Sequence, residues 1–132
     1  VKTVVKSPKH KTNGGIQIRS KRQPGTTHVI GYQCDLGAKY WGAIYDEHRR
    51  RKFLTPLLNS DEIKVVNKTD WNDYHIICKD NTIKIFINGQ QTSDYIEADA
   101  SMAAVKGFIA LQVHSARHPM EIHYKEIFLK KL

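Results

Sequence analysis

Apolar residues in this chain recur at every second position, in short runs broken by turn residues, and nowhere over a long stretch at helical spacing. Such alternation is the mark of half-buried strands. Runs at 1–6, 16–20, 28–36, 41–45, 71–79, 82–88, 91–95, 107–114 and 121–130 read as strands. Ser7-Pro8 stops the first run, Asn13-Gly14-Gly15 and Pro24-Gly25 mark turns, and 71–79 and 82–88 form a hairpin about Asp80-Asn81. Asn88-Gly89 is a second tight-turn signal. Residues 46–70 read as a long loop with one short strand near 63–66, and 97–105 as a helical turn or loop. Many short strands with almost no helix predict an all-β antiparallel sandwich or barrel. No linker or repeat interrupts the pattern, so a single domain over 1–132 is expected.

Composition narrows the function classes. A chain of 132 residues can bury one core and not two. No apolar stretch approaches the roughly 20 residues that cross a bilayer, and no basic-then-apolar leader opens the chain. The net charge is +8, but much of the excess is local, at Lys2, Lys6, Lys9 and Lys11, at 49–52, and at Lys130 and Lys131. Runs of this kind are expected to be solvated faces. No nucleic-acid motif accompanies them, so nucleic acid is not expected as a partner. Cys34 and Cys78 sit in apolar runs without CxxC spacing, which predicts two buried free thiols.

Strand parity brings out a constellation. Alternate residues of a strand face opposite sides of its sheet. Ile16 and Ile18 then share a face opposite Gln17 and Arg19. Tyr32 and Cys34 lie opposite Gln33 and Asp35, and Ile109, Leu111 and Val113 lie opposite Gln112 and His114. If the three strands share a sheet, the pairs Gln17/Arg19, Gln33/Asp35 and Gln112/His114 form one polar patch behind a core face. Amides and a carboxylate suit sugar hydroxyls, and Arg19 suits a carbonyl or alkoxide oxygen. Tyr40, Trp41 and Tyr45 could wall a pyranose ring. The plainer reading is the wet face of an antiparallel sheet, although such a face favours Thr, Lys and Glu. Asp46 and Glu47 are adjacent, hence on opposite faces, and do not by themselves make a glycosidase carboxylate pair. His48, His118 and His123 lack metal-ligand spacing, and there is no GxSxG, phosphate loop or HExxH.

The runs GGIQIRS, GYQCDLGAKYWGAIYDEHRR, WNDYHIICKDNTIKIFINGQQTSDY, GFIALQVHSA and EIHYKEIFLKKL, in this order, resemble the bacterial 3-keto-disaccharide hydrolase family over 13–132. The resemblance implies a concanavalin A-like jelly-roll sandwich that acts on an oxidised carbohydrate, in a periplasmic or extracellular setting. It implies that Arg19, Gln33, Asp35, Gln112 and His114 line a cleft, with Tyr45, Asp46 and Glu47 at its rim. On this reading His114 or Asp35 acts as base or acid and Arg19 stabilises an enolate. Gln17, Gln33 and Gln112 anchor the sugar, and Trp41 and Tyr45 contact its ring. A divalent metal near Asp35, Glu47 or His114 could replace Arg19 as electrophile. Family domains begin with further strands before GGIQIRS, including one that pairs near the C-terminus. With only 1–12 ahead of that segment, the expectation is a sandwich lacking those strands, or a sheet completed by another chain, for example in a homo-oligomer. The rival readings are a non-catalytic carbohydrate-binding module and a basic interaction domain using 49–52.

Overall fold

The computed structural model describes residues 1–6 and 12–132, so the Ser7-Pro8 stop, Lys9 and Lys11 lie outside the described residues. Among the described residues there are nine strands: β1 (Lys2–Lys6), β2 (Gly14–Arg22), β3 (Val29–Leu36), β4 (Ile44–Glu47), β5 (Asn72–Lys79), β6 (Thr82–Ile87), β7 (Gln90–Ile96), β8 (Phe108–Val113) and β9 (His123–Phe128). They form two antiparallel sheets, ordered β7-β6-β5-β1-β9 and β4-β3-β2-β8. The chain is an all-β sandwich. Among the described residues no helix is long and apolar enough to cross a membrane.

The alternation places the core where parity puts it. Ile16, Ile18, Tyr32, Cys34, Leu36 and Ile44 of the four-stranded sheet meet Val5, Tyr74, Ile76, Ile83, Ile85 and Ile87 of the other. The β6–β7 turn carries Asn88 at φ 50° and Gly89 at φ 84°, the left-handed pair that a two-residue hairpin turn requires. Cys34 is buried and Cys78 half-buried, and both are free thiols.

Three expectations change. β1 pairs with β9 on one side and β5 on the other, so an opening strand against the C-terminal strand is present. Residues Glu62–Val65 form a 3₁₀ turn instead of a strand. Asn59 Oδ1 accepts the N–H groups of Asp61 and Glu62, and the Glu62 carboxylate accepts the Asn59 N–H. Local side-chain acceptors of this kind compete with sheet pairing. Ile109, Leu111 and Val113 do share the inward face, since Leu111 pairs with Ile16. They are nevertheless 38%, 47% and 49% exposed, because β8 ends its sheet and nothing covers that edge among the described residues.

A cluster of charges closes the opposite end of the sandwich. Asp46 is fully buried on the inward side of β4, next to Tyr32. It accepts Arg49 Nε at 2.5 Å and Arg50 Nε. Arg50 also binds Glu97, which accepts the Tyr32 and Tyr95 hydroxyls, and the Arg49 guanidinium lies 4.3 Å from the Tyr32 ring centroid. Burial alone would raise the Glu97 carboxyl, but donors led by Arg50 and Tyr95 hold it at about 2. Asp46, Arg49 and Arg50 of the YDE-x-RR segment therefore form a structural clamp with Glu97, and Arg49 and Arg50 are not a solvated face. Asp46 belongs to this clamp and not to a cleft rim.

Candidate functional site

The outward face of the four-stranded sheet carries the polar residues in two neighbouring rows. Register sets Tyr45, Gln33, Gln17 and Ala110 side by side, and beside them Asp35, Gly15 and Gln112. Within these rows a chain of hydrogen bonds runs in one direction. Ser20 Oγ lies 3.0 Å from Gln17 Oε1, Gln17 Nε2 donates to Gln33 Oε1 at 2.6 Å, and Gln33 Nε2 donates to Asp35 Oδ1. The close approach depends on two glycines. A Cβ on Gly15 would stand 2.7 Å from Gln33 Cγ, and one on Gly31, at φ 152°, would stand 2.4 Å from Ser20 Oγ.

Asp35 is the chemically poised group of this face. It is only 4% exposed. Burial raises its carboxyl to about 7, opposed by the Gln33 hydrogen bond and reinforced by the Glu47 charge. Its backbone is fixed on all sides: its N–H donates to Ala43 O at 2.9 Å, and its carbonyl accepts Gly42 N–H at 3.0 Å. The same carbonyl accepts the Tyr74 hydroxyl at 2.8 Å from the opposite sheet. A carboxyl that exchanges its proton near neutrality, on a rigid backbone, can serve as general base and then as general acid.

The structure does not bring Arg19 to this group. β2 carries a bulge: Ile18 pairs with Tyr32 and Lys21 with Ile30, so Arg19 and Ser20 together oppose Gly31. Arg19 takes the positive φ of 50°, and the extra residue shifts parity by one. Ser20 occupies the polar face where counting by twos put Arg19. Arg19 instead donates from Nη1 to Asp80 O at 2.5 Å and lines a cavity beside Ile18 and Cys78.

Gln112 shares the Asp35 row, and its Oε1 is buried without a hydrogen-bond partner among the described residues. Two strand spacings, about 10 Å, separate the two backbones. His114 lies just past the end of β8, exposed, with Nδ1 2.6 Å from Ser115 O. A carbonyl can only accept, so in the neutral ring Nδ1 carries the proton and Nε2 is the basic nitrogen.

The aromatic wall differs from the expected one. Trp41 is 2% exposed and packs in the core, because the chain turns at 37–43 before β4 begins. It cannot face a ligand on the outer side. Tyr45 does lie on the polar face beside Gln33, and its hydroxyl is pushed up by burial, Glu47 and Asp35. Its partner is Phe53, edge-on at 5.1 Å, with Tyr40 stacked on Phe53 at 5.6 Å. Phe53 lies in the stretch read as loop. The bridge between Tyr45 and Phe53 that brings it here pairs residues across the 48–52 turn, and no sequence alternation signals it. Glu47 lies 3.2 Å from His48, which stacks on His28 at 4.2 Å.

Asp35, Glu47 and His114 do not assemble a metal site. Among the described residues no three His, Cys, Asp or Glu side chains are grouped to hold an ion.

No curated protein matches the chain. One family model does match, over residues 1–130, and it is described as a 3-keto-alpha-glucoside-1,2-lyase-like domain.

Proposed function

The chain belongs to the 3-keto-alpha-glucoside-1,2-lyase-like family, and from that premise we propose that it cleaves 3-keto-glycosides by elimination and hydration, with Asp35 as the proton-transfer group. The observation that carries this reading is the buried Asp35 carboxyl, raised to about 7 and held by the Gln33 amide.

A ketone at C3 of a glucose unit acidifies the proton at C2. Asp35 takes that proton, and the electron pair forms an enolate. The enolate collapses to a C1–C2 double bond as the glycosidic C1–O bond breaks. The proton held by Asp35 passes to the departing oxygen. Water then adds across the double bond, hydroxide to C1 and a proton to C2, and the net result is hydrolysis. A group with a carboxyl near 7 is matched to both halves of the transfer.

Tyr45, kept protonated by burial and its carboxylate neighbours, donates to the C3 oxygen as charge grows there. Gln112, through its unpartnered Oε1, accepts a sugar hydroxyl. His114, through Nε2, takes a proton from the adding water. Phe53 and Tyr40 supply the apolar surface for the ring. Gln17 and Gln33 hold Asp35 in place.

The test is proton NMR of the chain with a 3-keto-glucoside, with the unoxidised glucoside as control, repeated with Asp35→Asn. Consumption of the keto sugar alone, lost in the variant, is the expected result. Turnover unchanged by Asp35→Asn would sink the assignment. Line broadening without conversion would favour the carbohydrate-binding module.

A further inference from the structure

Among the described residues β8 and β9 are terminal strands of the two sheets, each hydrogen-bonded to a single neighbour, β2 and β1 respectively. Among the described residues the exposed large apolar side chains concentrate there: Phe108, Ile109, Leu111, Val113, Ile127 and Phe128 range from 38% to 63% exposed. An apolar surface gathered at one edge is uncommon on a chain that works alone and marks an interaction site. Ile109, Leu111 and Val113 point inward at every second residue, about 7 Å apart along the strand. Next to them the sheets part around a cavity of about 910 Å³, walled by Ile18, Ile76, Ile109 and Leu129. Arg19, Lys106, Lys130 and Lys131 also line it, and its described lining contains no Asp or Glu.

We propose that this seam receives an extended segment of another polypeptide, with apolar residues at alternate positions and carboxylates flanking them, which adds to β8 as a fifth strand of the four-stranded sheet. The free backbone edge of β8 supplies the main-chain hydrogen bonds, and the inward row supplies the pockets for alternate side chains. Lys106, Lys130 and Lys131 meet the flanking carboxylates. Charge decides against a second copy of this chain. Antiparallel pairing of β8 with itself would set the Lys106 end of one strand against the end followed by Arg117 in the other, cation facing cation.

The experiment uses the full chain, isotope-labelled, and three synthetic peptides. One alternates Val and Thr between Glu pairs, the second has Lys pairs in place of Glu, and the third has the first composition scrambled so that alternation is lost. The Glu-flanked peptide is expected to shift the amide resonances of Phe108–Val113 and to bind about tenfold or more tighter than the other two, weakening as salt rises. Leu111→Glu is expected to abolish this binding, whereas Ile96→Glu, at an exposed apolar position on β7, leaves it intact. Because Leu111→Glu could disturb the fold, the double charge reversal Lys106→Glu with Lys130→Glu is the second variant. It keeps the apolar row and is expected to switch preference to the Lys-flanked peptide. Equal binding of all three peptides, no binding at all, or sedimentation as a dimer with protected β8 amides would each overturn the proposal.

Discussion

Ser20 Oγ lies 3.0 Å from Gln17 Oε1, although the two residues are three apart on one strand. Alternation alone would set them on opposite faces. The bulge at Arg19 brings them together, and the same shift that sends Arg19 toward Asp80 and Cys78 leaves a hydroxyl to complete the amide chain leading to Asp35. Outward residues before and after the bulge thus serve one site.

Asp35→Asn is expected to lower turnover of a 3-keto-glycoside by about 10²–10⁴-fold, the usual contribution of a positioned acid–base group. The same variant separates chemistry from stability. The folded carboxyl titrates at about 7, above its unfolded value of about 3.9. The native state therefore binds this proton more tightly, and its stabilising effect is lost as pH rises through about 7. Urea unfolding should show Asp35→Asn more stable than the parent at pH 8, by up to about 4 kcal/mol, with the difference gone near pH 4.

Gln33→Met removes the donor that favours the charged carboxylate while keeping a similar volume. The Asp35 carboxyl should titrate above its present value of about 7. The acidic limb of the kcat/KM profile should move to higher pH with it. Carbon-detected NMR of the Asp35 carboxyl checks the shift directly, and an unmoved titration would remove Gln33 from the positioning role.

Trp41 and Phe53 should part company in mutants. Trp41→Phe opens space in the core and is expected to cost about 1–3 kcal/mol in urea unfolding, with KM unchanged. Phe53→Ala, beside Tyr45 and Tyr40, should raise KM several-fold with little change in kcat. The reverse pattern would return Trp41 to the sugar-contact role.

The clamp at Glu97 gives the acid behaviour. Its folded carboxyl stands at about 2, below the unfolded value of about 4.3. The stability it contributes is present above that unfolded value and is lost as pH falls toward about 2. Glu97→Gln should unfold at lower urea than the parent at pH 7 and show a flatter loss of stability on acidification. Equilibrium unfolding at a series of pH values measures both.

The fold was largely legible because strand parity is a local rule. Ile16 and Ile18, Tyr32 and Cys34, and Gln33 and Asp35 fall on the faces that counting by twos assigns them. The rule fails at one inserted residue, and a bulge leaves no signature in a run such as Ile18-Arg19-Ser20. It fails again at Trp41, which looks like the start of a strand but lies in the turn before β4. Phe53 reaches Tyr45 only by the bridge across a turn, and the clamp is completed by Glu97 from a distant segment, so strand alternation signals neither. Residues 109, 111 and 113 show the opposite limit: alternation fixes which way a side chain points, and says nothing about whether anything stands opposite it.

The bond from the Tyr74 hydroxyl to the Asp35 carbonyl joins the two sheets through the core. Tyr74 never reaches solvent, yet it is an anchor point for the strand that presents the Asp35 carboxyl. For the proton transfer proposed at Asp35, the far sheet is thus part of the scaffold in a mechanical sense. Changes on the inner face of β5 would be read out as altered proton affinity at a group on the outer face of the other layer, and distance from the substrate is a poor guide to which positions can retune this chemistry.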